Sequence, residues 1–403
     1  MDDFVHVPKA SGSTLRTIVS RQYGVDHILY FEPNSPHWQK DHHETPAQSL
    51  KHETENGAIK LITGHHAFGQ HQLIARPMRC FSLLREPISR AMSEYYYAFS
   101  YRHHPLREEI CSGQLTVEAF LTEPQFGIRN AQLRMIAGDW GLSGDPERAA
   151  IDNAAHCFSA IGLTERFEES ALYIAKVLGW KPPIFVKRNV TQLDRREAEA
   201  RRQSETEAQD RFFWEFAPEY RLYHFVDKLL TQRIAAEGDA FQKALDAYRG
   251  IQGQIERLAN DEVFETYEFH HADQLPPYAL RFVESEAYRI IEDYLAEPIR
   301  NSPQPRNYYG FVDVCQGNLI AGWALDLWRD TPIEVTILRR GQKILKANCA
   351  LIRADVAERI NSRPEVGFRV ELNEPIGDPK EYSVCFENTS LTLRQPQSLT
   401  RKL

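Results

Sequence analysis

The chain has 403 residues, with 48 Lys and Arg against 56 Asp and Glu, a formal charge of −8. That length exceeds one hydrophobic core and predicts two or three domains at roughly 150 residues each. The acidic balance excludes a general polyanion binder, because nonspecific nucleic-acid or anionic-membrane docking draws on clustered positive charge. With 42% hydrophobic and 26% charged residues the composition is that of a folded globular protein, which excludes disordered and fibrous architectures.

No run of about 18 apolar residues occurs, and the N-terminus reads MDDFVHVPK, without a basic segment, an apolar run and a cleavage site. The expectation is a cytoplasmic chain with no transmembrane segment or secretion signal, for which only transient contact with a membrane surface stays open. Cys80, Cys111, Cys157, Cys315, Cys349 and Cys385 are scattered without a CxxC pair, which predicts reduced thiols. No fixed-period repeat is present, so solenoids are excluded.

Over residues 1–228, β-type apolar runs alternate with helical patterns, the signature of an α/β domain with a parallel sheet covered by helices. Residues 4–7, 59–63, 80–84 and 157–163 read as strands. Leu15, Ile18, Val19 and Tyr23 recur at helical spacing over residues 14–23, and Gly24 is a stop. Residues 33–56, polar and rich in His, Glu and Pro, predict a long surface loop or substrate lid. Residues 229–305 read as a helical connector, with Phe241, Leu245, Ile251, Ile255 and Leu258 as its apolar residues, and three prolines at 298, 303 and 305 mark its end. Beyond it, short apolar runs at 311–314, 319–324, 333–338, 344–347, 368–372 and 382–386 predict a small all-β sandwich over 306–403. That part has 14 basic and 12 acidic residues, so it is slightly basic while the rest carries the negative charge.

The most informative segment is residues 4–15, FVHVPKASGSTL. A buried strand enters a turn of small residues and opens a helix, so that backbone N–H groups and a helix N-terminus converge on a concavity suited to phosphate or sulfate. Lys9 precedes Gly12, unlike the lysine of the GxxxxGK[ST] loop, which weakens a kinase or ATPase reading. Ser13 and Thr14 offer hydroxyls and Lys9 a point charge. The plain alternative is a strand, turn and helix with a serine N-cap. In residues 79–96, RCFSLLREPISRAMSEYY, a strand ends at Arg85, Pro87 suits the first turn of a helix, and Ser93 lies about two turns along it. Arginine and serine there converge on a second phosphate, or Arg85 pairs with Glu86.

In this order and spacing the two segments resemble the cofactor loops of sulfotransferases that use 3′-phosphoadenosine 5′-phosphosulfate (PAPS), in particular the carbohydrate branch that includes heparan sulfate 2-O-sulfotransferases and related bacterial enzymes. The resemblance covers roughly residues 3–228. It implies a P-loop-like three-layer fold, a parallel sheet with helices on both faces. It also implies that Lys9, Ala10, Ser11, Gly12, Ser13 and Thr14 hold the 5′-phosphosulfate, that Lys9 acts in catalysis, and that Arg85 and Ser93 grip the 3′-phosphate. The cofactor would be PAPS and its product 3′-phosphoadenosine 5′-phosphate (PAP). Residues 130–134 (NAQLR) leading to Gly138, 161–168 (IGLTERFE) and 187–190 (KRNV) are further echoes. Ser11 stands where many relatives have Gly or Ala. The C-terminal part, with GWA at 322–324 and RADV at 353–356, resembles small β-sandwich modules appended to bacterial glycan-modifying enzymes, with Trp323 read as core in preference to a sugar platform.

A sugar hydroxyl is a poor nucleophile until its proton is taken. Residues 61–69, LITGHHAFG, place two histidines just past a predicted strand, at the edge where open α/β proteins build sites. The family has Gly-His at this place with the His as base, which implies His65 and keeps His66 as the alternative. Four adjacent His pairs (42/43, 65/66, 103/104, 270/271) do not predict a metal, because neighbours on a strand point to opposite faces. Tyr95, Tyr96, Tyr97, Phe99 and Tyr101 line an acceptor cleft or pack the core, and Arg102, His103, His104 and Arg107 meet an anionic acceptor or stay solvated. The function implied is sulfuryl transfer from PAPS to a hydroxyl of a saccharide or glycolipid, with no nucleic-acid partner. Its rivals are a P-loop-like kinase using ATP and magnesium, and a catalytically inactive glycan-binding protein. Oligomeric state has no signature in the sequence.

Overall fold

The computed structural model describes residues 1–32, 45–55, 57–138, 145–186, 195–261, 275, 277–300 and 304–395. Residues 187–190, most of the polar stretch 33–56, and the histidine pairs 42/43 and 270/271 lie outside the described residues.

Five parallel strands form one sheet in the order β2-β3-β1-β4-β5, from β1 (Asp2–Val5), β2 (Ile28–Tyr30), β3 (Leu61–Gly64), β4 (Arg79–Leu84) and β5 (Phe158–Leu163). Every residue of β1, β3 and β5 is buried, as strands covered on both faces require. On one face Phe4, Leu61, Phe81 and Ala160 pack with Leu15, Ile18 and Val19 of the helix Gly12–Tyr23 and with Leu172 and Ile174 of the helix Phe167–Leu178. On the other, Val5, Ile62, Cys80 and Leu84 pack with Leu133 and Ile136 of the helix Ala131–Ala137 and with Leu222 and Val226 of the helix Ala217–Glu237. Each large apolar side chain buried this way contributes about 1.5–3 kcal/mol, so the strand ends that carry the site stand on a rigid slab.

The four strands expected in residues 1–228 lie within two residues of those observed. The edge strand β2 is an addition, because ILY is only three residues long and its burial falls from Ile28 to Tyr30, leaving no alternation to detect. The stretch 33–56 is helical at Pro46–Glu55, which corrects the expectation of a loop throughout. The connector is also more than a tether. The helix Ala217–Glu237 runs unbroken across the 228/229 boundary. Phe241, Leu245, Ile251 and Ile255 of the helix Asp239–Asp261 and Ile291 of the helix Glu286–Ala296 join the same core as the helix Phe167–Leu178.

The C-terminal region is antiparallel and all-β: β6 (Tyr308–Gln316), β7 (Leu319–Asp326), β8 (Glu334–Arg339), β9 (Gln342–Asn348), β10 (Leu351–Ile352), β11 (Glu365–Glu371) and β12 (Tyr382–Phe386). They form two sheets, β10-β11-β7-β6 and β12-β8-β9, with one short helix, Ala354–Ile360, that the sequence pattern does not announce. Trp323 is buried in a small core with Val356 and Ile360. The region shares its main core with the α/β part: Tyr308, Val312 and Leu391 belong to one apolar cluster with Ile74, Met78 and Phe158. The backbone N–H of Ser390 donates to Asp152 Oδ2 (2.6 Å), and that of Arg306 to the His156 carbonyl (2.8 Å). Among the described residues no helix is long and apolar enough to cross a membrane.

Candidate functional site

The chain leaves β1 at Val5 and turns through Lys9 and Ser11, both in the left-handed region (φ 64° and 57°). Left-handed backbone costs a residue with a Cβ about 1–2 kcal/mol, and the burial of Val7 and Ala10 on either side holds it in place. Gly12 is required for a different reason. The His6 ring occupies the space beside it, so that a Cβ on Gly12 would lie 1.7 Å from His6 Nε2. Ser11 stands at the N-cap of the helix Gly12–Tyr23, as the plain alternative expected, but its side chain makes no capping bond. The N–H groups of Gly12, Ser13 and Thr14 have no intrahelical acceptor, and with the helix dipole they form a cradle for an anion. Ser13 is exposed and Thr14 half-buried, whereas Ala10 is buried and offers only its backbone.

Because β4 pairs directly with β1, in the register Phe4↔Phe81, its C-terminal turn emerges beside that cradle. Arg85 Nη1 donates to the Lys9 carbonyl at 3.2 Å, which brings the two segments into contact. Glu86 does not pair with Arg85. Its carboxylate caps the helix Pro87–Ser100 through Ser89 N (2.6 Å) and accepts from the Tyr220 hydroxyl. Ser93, half-buried on that helix, makes no side-chain hydrogen bond to another described residue.

The two histidines past β3 have opposite fates. His65 is exposed, with Nδ1 3.0 Å from the His6 carbonyl oxygen. A carbonyl only accepts, so Nδ1 carries the hydrogen and Nε2 is left as the basic nitrogen. His66 is buried, with Nε2 3.2 Å from Asp3 Oδ1. Burial raises the Asp3 carboxyl to about 8 and lowers His66 to about 4, so both shifts favour the uncharged forms. The tertiary structure therefore leaves His65 as the histidine open to a reactant.

Lys9 is half-buried, with Nζ 4.1 Å from the centre of the Tyr97 ring. Burial lowers the pKa of its ammonium; Glu94 opposes that shift, and Arg85 and Arg201 add to it. Lys9, Arg85 and Arg201 thus lie within electrostatic reach of one another, together with the carboxylates of Glu94 and Glu205, and Arg201 pairs with Glu205 at 3.8 Å. Sequence reasoning missed Arg201, which lies over the Tyr96 ring at 3.8 Å, because the helix Arg195–Phe212 reads as an ordinary charged face. The aromatic run divides as its alternatives allowed. Tyr95 packs on Phe120, while Tyr97 and Tyr101 stack in the open at 5.4 Å. Arg102, His103, His104 and Arg107 line an open cleft of about 590 Å³ beyond them.

The later segments brace the site. Gln132 accepts from Arg85 N and donates to the Arg85 carbonyl, both at 2.8 Å, and Glu165 accepts from Glu86 N at 2.9 Å. The buried Glu219 in turn accepts from Asn130 N (3.0 Å) and Gln132 N (2.8 Å). Arg134 and Arg166 point elsewhere, to the carbonyls of Gly127 and Arg129 and to Glu169 and Asp227 respectively.

The arrangement can hold one anion at the backbone cradle and a second at Arg85, with a basic imidazole next to the first. Among the described residues no three His, Cys, Asp or Glu side chains gather as a metal site. Compared with known protein families and with curated proteins, the sequence matches none of them.

Proposed function

We propose that the chain is a PAPS-dependent sulfotransferase with a P-loop-like α/β core, acting on a hydroxyl of a saccharide or glycolipid. The observation that carries this reading is the contact between Arg85 and the Lys9 carbonyl. It sets the Gly12 turn and the Arg85 turn side by side, which supports a nucleotide with anionic groups at both 5′ and 3′ positions as the ligand. The cradle N–H groups of Gly12, Ser13 and Thr14, with Lys9, take the 5′-phosphosulfate, and the guanidinium of Arg85 and hydroxyl of Ser93 take the 3′-phosphate.

In the transfer the acceptor hydroxyl oxygen bonds to sulfur as the bond between sulfur and the 5′-phosphate oxygen breaks, in line. The hydroxyl proton passes to His65 Nε2, and the electron pair of the broken bond stays on PAP. Lys9 and the cradle N–H groups meet the charge that grows on that oxygen. A preorganised donor of this kind is worth about 3 kcal/mol of barrier.

Calorimetric titration with PAP, AMP and ATP tests the reading. PAP is expected to bind at least tenfold tighter than AMP, about 1.4 kcal/mol. Equal affinity for PAP and AMP would remove the 3′-phosphate role, and preference for ATP with magnesium would favour the kinase. Tight PAP binding without sulfuryl transfer to any glycan or glycolipid acceptor would leave the inactive binding protein.

A further inference from the structure

Arg85 N and Glu86 N are the two backbone donors at the turn after β4, and both are already taken by side chains, Gln132 and Glu165. This turn therefore differs from the Gly12 cradle: it has no free N–H at either residue to offer an anion. A side chain reaches a fixed point only if the backbone that carries it is fixed. The group that fixes Arg85 is the carboxamide of Gln132, 1% exposed, which engages both N–H and C=O of one residue 47 positions away, as a neighbouring strand would. Gln132 is held by its own N–H on Glu219, which is also buried.

We infer that Gln132 is a positioning residue for anion discrimination, setting through the Arg85 backbone where the Arg85 guanidinium stands and hence whether the protein distinguishes a 3′-phosphate. The inference rests on the sulfotransferase reading of Arg85. Gln132 touches no ligand; it acts through Arg85. An amide is the side chain suited to the task, because one end must accept and the other donate. Apolar replacement loses both bonds and leaves the N–H and C=O of the half-buried Arg85 without this partner, whereas a carboxylate keeps the acceptor and loses the donor.

The test is calorimetry of the full chain with PAP and with AMP, for wild type, Gln132→Met and Gln132→Glu, each checked for folding by its thermal midpoint. Gln132→Met is expected to weaken PAP about tenfold, the scale of one to two buried hydrogen bonds, while AMP changes less than about twofold on the same scale. Gln132→Glu is expected to fall between Met and wild type. A folded Gln132→Met protein that keeps the wild-type ratio of PAP to AMP affinity overturns the proposal, and so does an equal loss for both nucleotides, which marks general structural damage. If Gln132→Met does not fold, the ratio in Gln132→Glu decides by the same criterion. A wild-type protein without preference for PAP overturns the sulfotransferase reading itself, and the inference with it.

Discussion

His65 hangs from the backbone of the anion cradle: its Nδ1 lies 3.0 Å from the His6 carbonyl oxygen, six residues before Gly12 opens the helix. The bond joins the end of β3 to the end of β1 and sets the tautomer of the His65 ring. The His6 and His65 rings also meet, at 4.5 Å between centroids.

Replacing His65 should separate chemistry from binding. His65→Ala is expected to lower kcat by roughly 10²–10⁴-fold, the usual worth of a positioned base, and to leave PAP affinity nearly unchanged. Single-turnover sulfuryl transfer beside PAP calorimetry measures the two. Collapse of PAP binding in the variant would show instead that the ring is a structural support for the loop.

The buried Asp3 and His66 pair predicts an alkaline weakness. The folded state raises the Asp3 carboxyl from 3.8 to about 8, so it holds the proton more tightly than the unfolded chain does. That contribution is fully present below about pH 4, declines as pH rises through neutrality and is gone above about pH 8. The lowered His66 acts in the opposite window, costing stability as pH falls from 6.5 toward about 4. Asp3→Asn keeps a donor toward His66 Nε2 and cannot ionise. Its unfolding free energy should match wild type near pH 4 and exceed it increasingly toward pH 8, by an amount on the order of a few kcal/mol, with the thermal midpoint rising in step. Parallel melting curves across that range would mean that Asp3 does not titrate there.

Gly12→Ala should break the cradle. With the new Cβ only 1.7 Å from His6 Nε2, the ring or the helix start must move, a clash of the overpacking kind that costs about 1–3 kcal/mol. Loss of PAP binding should accompany it. His6→Ala in the same chain empties that space and should recover part of the stability, a non-additivity that chemical denaturation of the four proteins in the cycle reads directly. Additive effects would place the strain elsewhere.

Removing residues 306–403 should not yield a soluble core. The cut uncovers Ile74, Met78 and Phe158 and strips Asp152 and the His156 carbonyl of their partners. The truncated protein is expected to aggregate, or to bind a hydrophobic dye and melt without cooperativity. A monomeric, cooperatively folding product in size exclusion and calorimetry would show that the β region is dispensable.

The local structure of the candidate site could be read along the chain because each of its two segments is made of consecutive residues. Residues 4–15 state a strand, a turn and a helix start in order, and residues 79–96 do the same around Arg85. What lay across the chain could not be read that way. Gln132 reaches Arg85 over 47 positions, Glu165 reaches Glu86 over 79, and Glu219 reaches Gln132 over 87. Nothing in the helical spacing of residues 195–212 distinguishes Arg201 from its charged neighbours.

Periodicity and turn chemistry by themselves determined the α/β class, the helical middle, the antiparallel end and the strand-turn-helix of residues 4–15, because each follows from interactions between residues close in sequence. Only the tertiary structure decided that His65 is open and His66 closed. Two neighbours at the end of a strand look alike until a sheet order, β3 beside β1, buries one on Asp3 and turns the other to solvent. It also decided that the β region shares the core of the α/β part. Strand order and layer packing depend on which distant apolar faces meet, and a local hydrophobic pattern says only that each face must be covered.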